Sequence, residues 1–111
     1  MASRAVLRYL RASPRKVGQV ADLVRGKQVS EALHLLALTP RRPAKPLAKL
    51  IRSAVANSAD RGGTDDAEAL IVRQIAVEQG PTLKRYRARA RGRAARIRHR
   101  TTHVTVEIEE A

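Results

Sequence analysis

Cysteine, phenylalanine and tryptophan are absent from this 111-residue chain, and tyrosine occurs only at Tyr9 and Tyr86. Without cysteine the chain can form no disulfide and no thiolate metal site, a composition that fits a reducing compartment. Without large aromatic side chains, a core has to be built from Leu, Val, Ile and Ala, which suffices for one small body. The sequence therefore predicts a single domain, 1–111, with an aliphatic core.

Features of enzymes and of membrane proteins are also missing. No apolar run approaches the ~20 residues that span a bilayer. The chain has no Gly-rich phosphate loop and no nucleophile with a base at recognisable spacing. His34, His99 and His103 do not follow metal-ligand spacing, since the last two would lie ~13 Å apart along one strand. We therefore expect no enzymatic activity, no metal or other cofactor, and no membrane partner.

What the chain does have is positive charge, with 23 Lys and Arg against 10 Asp and Glu and a net charge of +13. The segment 84–100 contains no carboxylate. Its basic residues are Lys84, Arg85, Arg87, Arg89, Arg91, Arg93, Arg96, Arg98 and Arg100. Such a concentration of one charge predicts a polyanionic partner, and phosphate is the commonest polyanion in cells.

The basic segment is predicted to form a β-hairpin arm over 80–100. Arginine alternates with small residues, as in a strand, and Arg91-Gly92 suits a two-residue turn. That turn pairs residues whose numbers add to 183: Ile75 with Ile108, Val77 with Val106, Arg85 with Arg98, and Arg87 with Arg96. Arginine opposite arginine is unfavourable without an anion against it. A disordered basic tail is the alternative, but the alternating strand 101–109 that follows needs a partner strand.

The rest of the chain predicts an α+β fold, with three helices on one face of a three-stranded antiparallel sheet. The body consists of 1–79 and 101–111, and the arm of 80–100 protrudes from it. The predicted elements are strand 2–10, helix 14–25 capped by Ser13, helix 31–38 capped by Ser30, helix 44–60, strand 69–79 and strand 101–109. Because strand 69–79 carries apolar residues on both faces, we expect it at the centre of the sheet.

Two helix N-termini carry cations where the helix dipole favours anions. These cations are Arg15 and Lys16 at the first helix, and Arg41, Arg42 and Lys45 at the third. The mismatch predicts phosphate contacts at both ends, although solvated side chains explain either one alone equally well. Two nucleic-acid roles remain: an arm threaded through folded RNA, or a DNA architectural protein with its arm in a groove. The arm has no apolar wedge near its turn, which favours RNA.

Several stretches resemble the bacterial large-subunit ribosomal protein uL22 family, in the order that the family has them. The similar stretches are 13–16, 20–27, 53–57, 78–85, 91–94 and 100–104. The resemblance implies a body near the exit of the nascent-peptide tunnel, an arm running through ribosomal RNA with its tip in the tunnel wall, and a role in early subunit assembly. It also implies that the partners are large-subunit rRNA, neighbouring ribosomal proteins and the nascent polypeptide, in the cytoplasm and without homo-oligomers.

Together these inferences assign three sets of site residues. We expect rRNA contacts from Arg15, Lys16, Arg41, Arg42, Lys45, Lys84, Arg85, Arg96, Arg98 and Arg100. By resemblance, the arm tip in the tunnel comprises Arg87, Ala88, Arg89, Ala90, Arg91, Gly92, Arg93 and Ala94. Also by resemblance, Leu83, Lys84 and Arg85 form the region where changes are associated with macrolide resistance. Ala88 departs from the proline that many members have there.

Overall fold

The computed structural model describes residues 2–81, 83–88 and 94–110. For 83–88 and 94–99 it describes the backbone only. Its elements follow the order β1 Ala2–Leu10, α1 Pro14–Asp22, α2 Val29–Leu38, α3 Ala44–Asp60, β2 Leu70–Gln79, β3 Leu83–Ala88, β4 Ala94–His99 and β5 Thr102–Glu110. Strands β1, β5 and β2 form an antiparallel sheet, and β3 and β4 form a separate two-stranded sheet. The predicted α+β class is confirmed.

The central strand of the larger sheet is β5, so the prediction that strand 69–79 lies at the centre is wrong. The reason is a register shift in β2 between Val72 and Gln74. Leu70 and Val72 face the core before it, whereas Ile75 faces the core after it. One extra residue therefore moves the buried positions from even to odd numbers. The strand therefore has one buried face. From the sequence it looked apolar on both faces because the buried positions change from even to odd numbers at the bulge.

The pairing of β2 with β5 also differs from the predicted register. Ile75 lies opposite Val106 and Val77 opposite Val104, two residues from the predicted partners. A shift of two keeps every side chain on its face of the sheet, so apolar residues still oppose apolar residues. In β5, Thr102, Val104, Val106 and Ile108 are fully buried and the residues between them are half-buried.

Helix α3 occupies the predicted span, while α1 and α2 differ at their ends. Ser13 caps α1 as predicted, but the helix ends at Asp22 and continues as a turn to Gly26, which has φ 75°. Helix α2 begins at Val29, and Gln28 takes the N-cap position that was predicted for Ser30. The Ser30 N–H instead donates to the Ala67 carbonyl at 3.1 Å, which ties this turn to the loop before β2.

The core lies between the helices and one face of the larger sheet. It is aliphatic, and its fully buried large side chains include Val17, Val20, Leu47, Ile51, Leu70 and Ile108. Ser3, buried in β1, donates from Oγ to the Ala54 carbonyl at 3.1 Å. This bond satisfies the hydroxyl and joins the edge strand to the longest helix.

Strand pairing is interrupted at Gly80-Pro81, between the last β2–β5 pair at Gln79 and the first β3–β4 pair at Leu83. The Gly80 N–H donates to the Thr101 carbonyl at 2.9 Å, and Thr101 Oγ1 donates to the Pro81 carbonyl. A Cβ placed on Gly80 would lie 2.6 Å from Thr101 Oγ1. Glycine is therefore required for the segments around Gly80 and Thr101 to approach each other where the arm leaves the body.

Candidate nucleic-acid interface

The arm pairs in a register that removes the predicted arginine pairs. Opposite positions are Leu83 and His99, Lys84 and Arg98, Arg85 and Ile97, Tyr86 and Arg96, Arg87 and Ala95, and Ala88 and Ala94. These numbers add to 182 rather than 183, so the predicted opposition of Arg85 with Arg98 and of Arg87 with Arg96 is wrong. A shift of one residue exchanges the faces of one strand relative to the other.

The register has two consequences for charge. Arginine positions of β3 oppose Ile97 and Ala95, so fewer like charges face each other across the ladder. Basic positions also fall on both faces of the ribbon, with 85 and 87 on one face and 84, 96 and 98 on the other. The predicted turn and the tip residues Arg89, Ala90, Arg91, Gly92 and Arg93 lie outside the described residues.

On the body, one cleft joins the N-termini of α1 and α3. Lys16 and Gln19 of α1 line it together with Arg41, Arg42 and Pro43. Arg41 Nη1 donates to Gln19 Oε1 at 2.5 Å, which holds the guanidinium against α1. Two cation groups that are 25 residues apart in sequence thus meet in one place. Arg15 is exposed on the first turn of α1 beside Lys16.

Several backbone N–H groups at this junction are absent or already bonded. In α1, Pro14 has no N–H, the Lys16 N–H donates to Ser13 Oγ at 3.4 Å, and the Val17 N–H bonds the Ser13 carbonyl. At α3, Pro43 and Pro46 have no N–H, and the Ala44 N–H donates to the Arg41 carbonyl at 3.1 Å. An anion here would bind chiefly to guanidinium and ammonium groups.

Two further clefts extend the positive surface along α3. One contains Arg41, Arg42, Lys45 and Arg52 beside Leu33 and Leu36 of α2. The next contains Lys45, Lys49 and Arg52 beside Val6, Leu7 and Leu10 of β1. Because neighbouring clefts share side chains, the cations form one continuous surface. We call it the body track, and its members are Lys16, Arg41, Arg42, Lys45, Lys49 and Arg52.

Lys49 and Arg52 were not among the predicted site residues. The signal was present, because positions 45, 49 and 52 follow the i, i+4, i+7 spacing of one helix face. This face lies opposite the apolar stripe of the helix. What the sequence could not show is that this face continues the cluster at the helix N-terminus.

Three other basic side chains of the body, Arg25, Lys27 and Arg73, lie beside carboxylates of the same chain. Arg25 pairs with Asp22 and donates from Nε and Nη2 to the Ile75 carbonyl at 3.3 and 3.0 Å. Lys27 Nζ lies 3.9 Å from Glu31 Oε1. Within the residues that the structure describes, no salt bridge involves a member of the body track. The cations of the body track are therefore available to bind an external anion.

Two carboxylates of β5 lie beside a basic side chain of β2. Arg73 Nη1 lies 3.6 Å from Glu107 Oε1 and 3.5 Å from Glu109 Oε2. The arginine at the β2 bulge is thus the neighbour of both carboxylates. Arg100, a predicted contact at the root of the arm, is exposed.

These features define an α+β protein with a positively charged body surface and a basic two-stranded arm. The family model described as Ribosomal protein L22p/L17e matches residues 5–109. A large ribosomal subunit protein uL22 of Desulfitobacterium hafniense (strain Y51) is 53% identical over 108 residues, covering 97% of this chain and 94% of that protein.

Two further relatives carry the same name. The protein of Anaeromyxobacter sp. (strain K) is 54% identical over 107 residues, which cover 96% of this chain and 73% of that protein. The protein of Myxococcus xanthus (strain DK1622) is 52% identical over 112 residues, which cover 100% of this chain and 98% of that protein.

The chain belongs to the ribosomal protein L22p/L17e family, and the resemblance seen in the sequence is confirmed. It is therefore a structural constituent of the large ribosomal subunit and not an enzyme, as predicted. As such a constituent it is a component of cytoplasmic ribosomes. Separately, none of the helices within the described ranges is long and apolar enough to cross a bilayer.

Proposed function

We propose that this protein binds large-subunit rRNA through two surfaces, the body track and the arm. The observation that carries the proposal is the continuity of the body track, whose cations line three adjoining clefts and have no carboxylate partner within the described residues. Clustered cations without internal partners favour a polyanion, and phosphate contacts would fix the orientation of the body on the RNA.

The arm supplies the second surface. Its basic positions occur on both faces of the β3–β4 ribbon, so phosphates on either side can be neutralised. We infer that the arm passes between RNA segments, with Lys84, Arg85, Arg96, Arg98 and Arg100 on phosphates. Small residues such as Ala94 and Ala95 allow close approach of the RNA.

The resemblance to the family supports a proposed placement in the subunit. The tip, 87–94, would contribute to the wall of the exit tunnel and contact the nascent polypeptide, while the body lies near the tunnel exit. Leu83, Lys84 and Arg85 at the start of β3 would form the region whose changes alter the response to macrolides. Binding of several RNA segments by one small protein supports early subunit assembly.

Salt dependence tests the RNA-binding proposal. We would measure affinity for large-subunit rRNA of Myxococcus xanthus across a salt series, with the wild type and a Lys45→Gln, Lys49→Gln, Arg52→Gln variant. Each lost phosphate contact makes the slope of log K against log salt less steep by about one. The slope for the triple variant should therefore be less steep than that of the wild type by about three. Lys27→Gln, whose cation already pairs with Glu31, is the matched control and should leave the slope unchanged.

Crosslinking tests the placement of the arm. Subunits assembled with the intact chain or with a chain lacking 84–100 would be crosslinked and the bound RNA sequenced. We expect sites in several RNA segments, with those of the tunnel wall lost on deletion and those of the body retained. Wild-type binding that is insensitive to salt would overturn the electrostatic proposal, and unchanged crosslinks would overturn the placement of the arm.

A further inference from the structure

Tyr9 is exposed over 62% of its surface, although it is one of only two aromatic residues in the chain. The core that β1 helps to form contains only aliphatic side chains. Exposing a ring that could have been buried forgoes the favourable burial of a large apolar surface. Tyr9 therefore contributes little to the core, and its ring is accessible to an external partner.

The backbone at Tyr9 has an unusual conformation that presents the ring. Tyr9 has φ 59°, and it is the non-glycine residue with positive φ among the described residues. The β1–β5 register shifts here, between the pair Leu7 with Val104 and the pair Leu10 with Thr102. Left-handed backbone is unfavourable for tyrosine and ordinary for glycine. Such conformations are concentrated at functional sites.

Residues at the root of the arm hold the ring. The Tyr9 N–H donates to His103 Nδ1 at 3.1 Å, and the two rings meet edge to face with centroids 4.9 Å apart and planes at 88°. His103 in turn lies against Gly80, where the arm leaves the body. In an edge-to-face pair His103 covers at most one face of the phenol ring, and the ring as a whole remains largely exposed.

Exposed cations occur close to Tyr9 in the chain. Arg8 and Arg11 lie on either side of it in sequence, and both are exposed. Thr102 Oγ1 donates to the Ala12 carbonyl at 2.6 Å, which ties this segment to the strand that begins just after the exposed Arg100. An exposed aromatic ring in a segment with exposed cations suits a ligand that combines a flat π-surface with phosphate.

We propose that Tyr9 is a stacking platform for an unpaired nucleobase of RNA, at the root of the arm. The inference rests on the proposed function, because it names a specific contact within the rRNA interface. Stacking on an aromatic ring with neighbouring cations on the phosphates is how proteins bind unpaired bases. His103 acts as a positioning residue, because its Nδ1 and its ring fix the orientation of the phenol.

The test compares Tyr9→Leu with Tyr9→Phe in binding to Myxococcus xanthus large-subunit rRNA. Loss of one base–aromatic stack weakens binding by about 5- to 150-fold, so Tyr9→Leu should show a loss in that range. Tyr9→Phe keeps the ring and should bind within about threefold of the wild type, since the π-face is retained. Both variants should keep the wild-type salt slope because neither removes a cation.

Tyr9→Gly separates binding from folding. Glycine relieves the positive φ, so this variant should be at least as resistant to urea as the wild type and yet bind RNA as weakly as Tyr9→Leu. Ultraviolet crosslinking followed by mass spectrometry should place a nucleotide on Tyr9 in the wild-type complex.

The outcomes distinguish this inference from the proposed function. If the wild type binds rRNA with a steep salt dependence but Tyr9→Leu binds equally well, the stacking site is refuted and RNA binding stands. A crosslink from Tyr9 to a neighbouring ribosomal protein instead of RNA would also refute it. If the wild type itself shows no salt-dependent binding to rRNA, the proposed function fails first.

Discussion

The body and the arm of this protein are built on opposite principles. In the body, aliphatic side chains from three helices and three strands are buried together, and several cations are neutralised internally, as Arg25 is by Asp22. The arm consists of two paired six-residue strands, and its sequence offers few apolar side chains and no carboxylate. An isolated two-stranded hairpin is at best marginally stable in water.

The difference separates two sources of order. Burial of apolar surface offsets the conformational entropy of the body, so the body can fold by itself. The arm lacks that contribution, and its charge opposes compaction until an anion neutralises it. The body is thus stabilised by its own contacts, whereas we expect the order of the arm to depend on an anionic partner. Substitutions in the core, at the junction and in the arm probe this division.

The largest effect is expected in the core. Leu47 is 1% exposed in α3, and Leu47→Ala should lower the free energy of unfolding by about 2–5 kcal/mol through lost burial and a residual cavity. Leu38→Ala is the matched control, because Leu38 is 69% exposed at the end of α2 and its loss should cost less than about 0.5 kcal/mol. Urea denaturation followed by circular dichroism measures both. Equal losses would contradict the assignment of the core.

The next effect is expected where body and arm join. In Gly80→Ala the new Cβ would meet Thr101 Oγ1, a stiff β-branched side chain that is hydrogen-bonded to Pro81. We expect a loss of about 1–3 kcal/mol in stability from this overpacking. The double variant with Thr101→Ala should recover part of it, which a double-mutant cycle detects as coupling. Strictly additive losses would show that the contact is not the cause.

A second glycine provides a contrast of opposite sign. Gly18 lies inside α1, and a Cβ there would meet nothing within 4 Å. Gly18→Ala should therefore raise the stability of the body by about 0.5–1 kcal/mol, because alanine loses less backbone entropy in a helix. The urea midpoint should rise with an unchanged m-value. A fall in the midpoint would mean that α1 requires space at this position.

Several features set by local sequence were predicted correctly, although the Ser30 cap of α2 was not. Helix α3 spans the predicted residues 44–60, since its apolar stripe repeats at helical spacing and its packing agrees with that pattern. Ser13 caps α1 for an equally local reason: its hydroxyl reaches the Lys16 N–H. The identity of the cations near the two helix N-termini was also visible in the sequence.

Features that depend on contacts between distant parts of the chain were not predicted correctly. The bulge at Arg73 moves the buried positions of β2 from even to odd numbers. An edge strand with one buried face therefore looked like a strand buried on both faces, and β2 was wrongly predicted to be central. The arm register depends on the number of residues in the turn, and one residue more or less exchanges the faces of the strands. The meeting of Lys16 with Arg41 depends on tertiary packing, and so does the exposure of Tyr9 at a strained bulge.

The smallest effect on stability is expected in the arm, where Arg85→Ala should change the free energy of unfolding of the body by less than about 0.5 kcal/mol. Position 85 lies in β3, outside the sheet that covers the core. The same variant should reduce the steepness of log K against log salt for rRNA by about one, since one proposed phosphate contact would be lost. A variant that leaves folding intact but weakens RNA binding would show that this arm residue serves binding rather than the stability of the body. If Arg85→Ala instead destabilised the free protein by as much as Leu47→Ala, the arm would have to be counted as part of the folding unit, and the division between body and arm would be wrong.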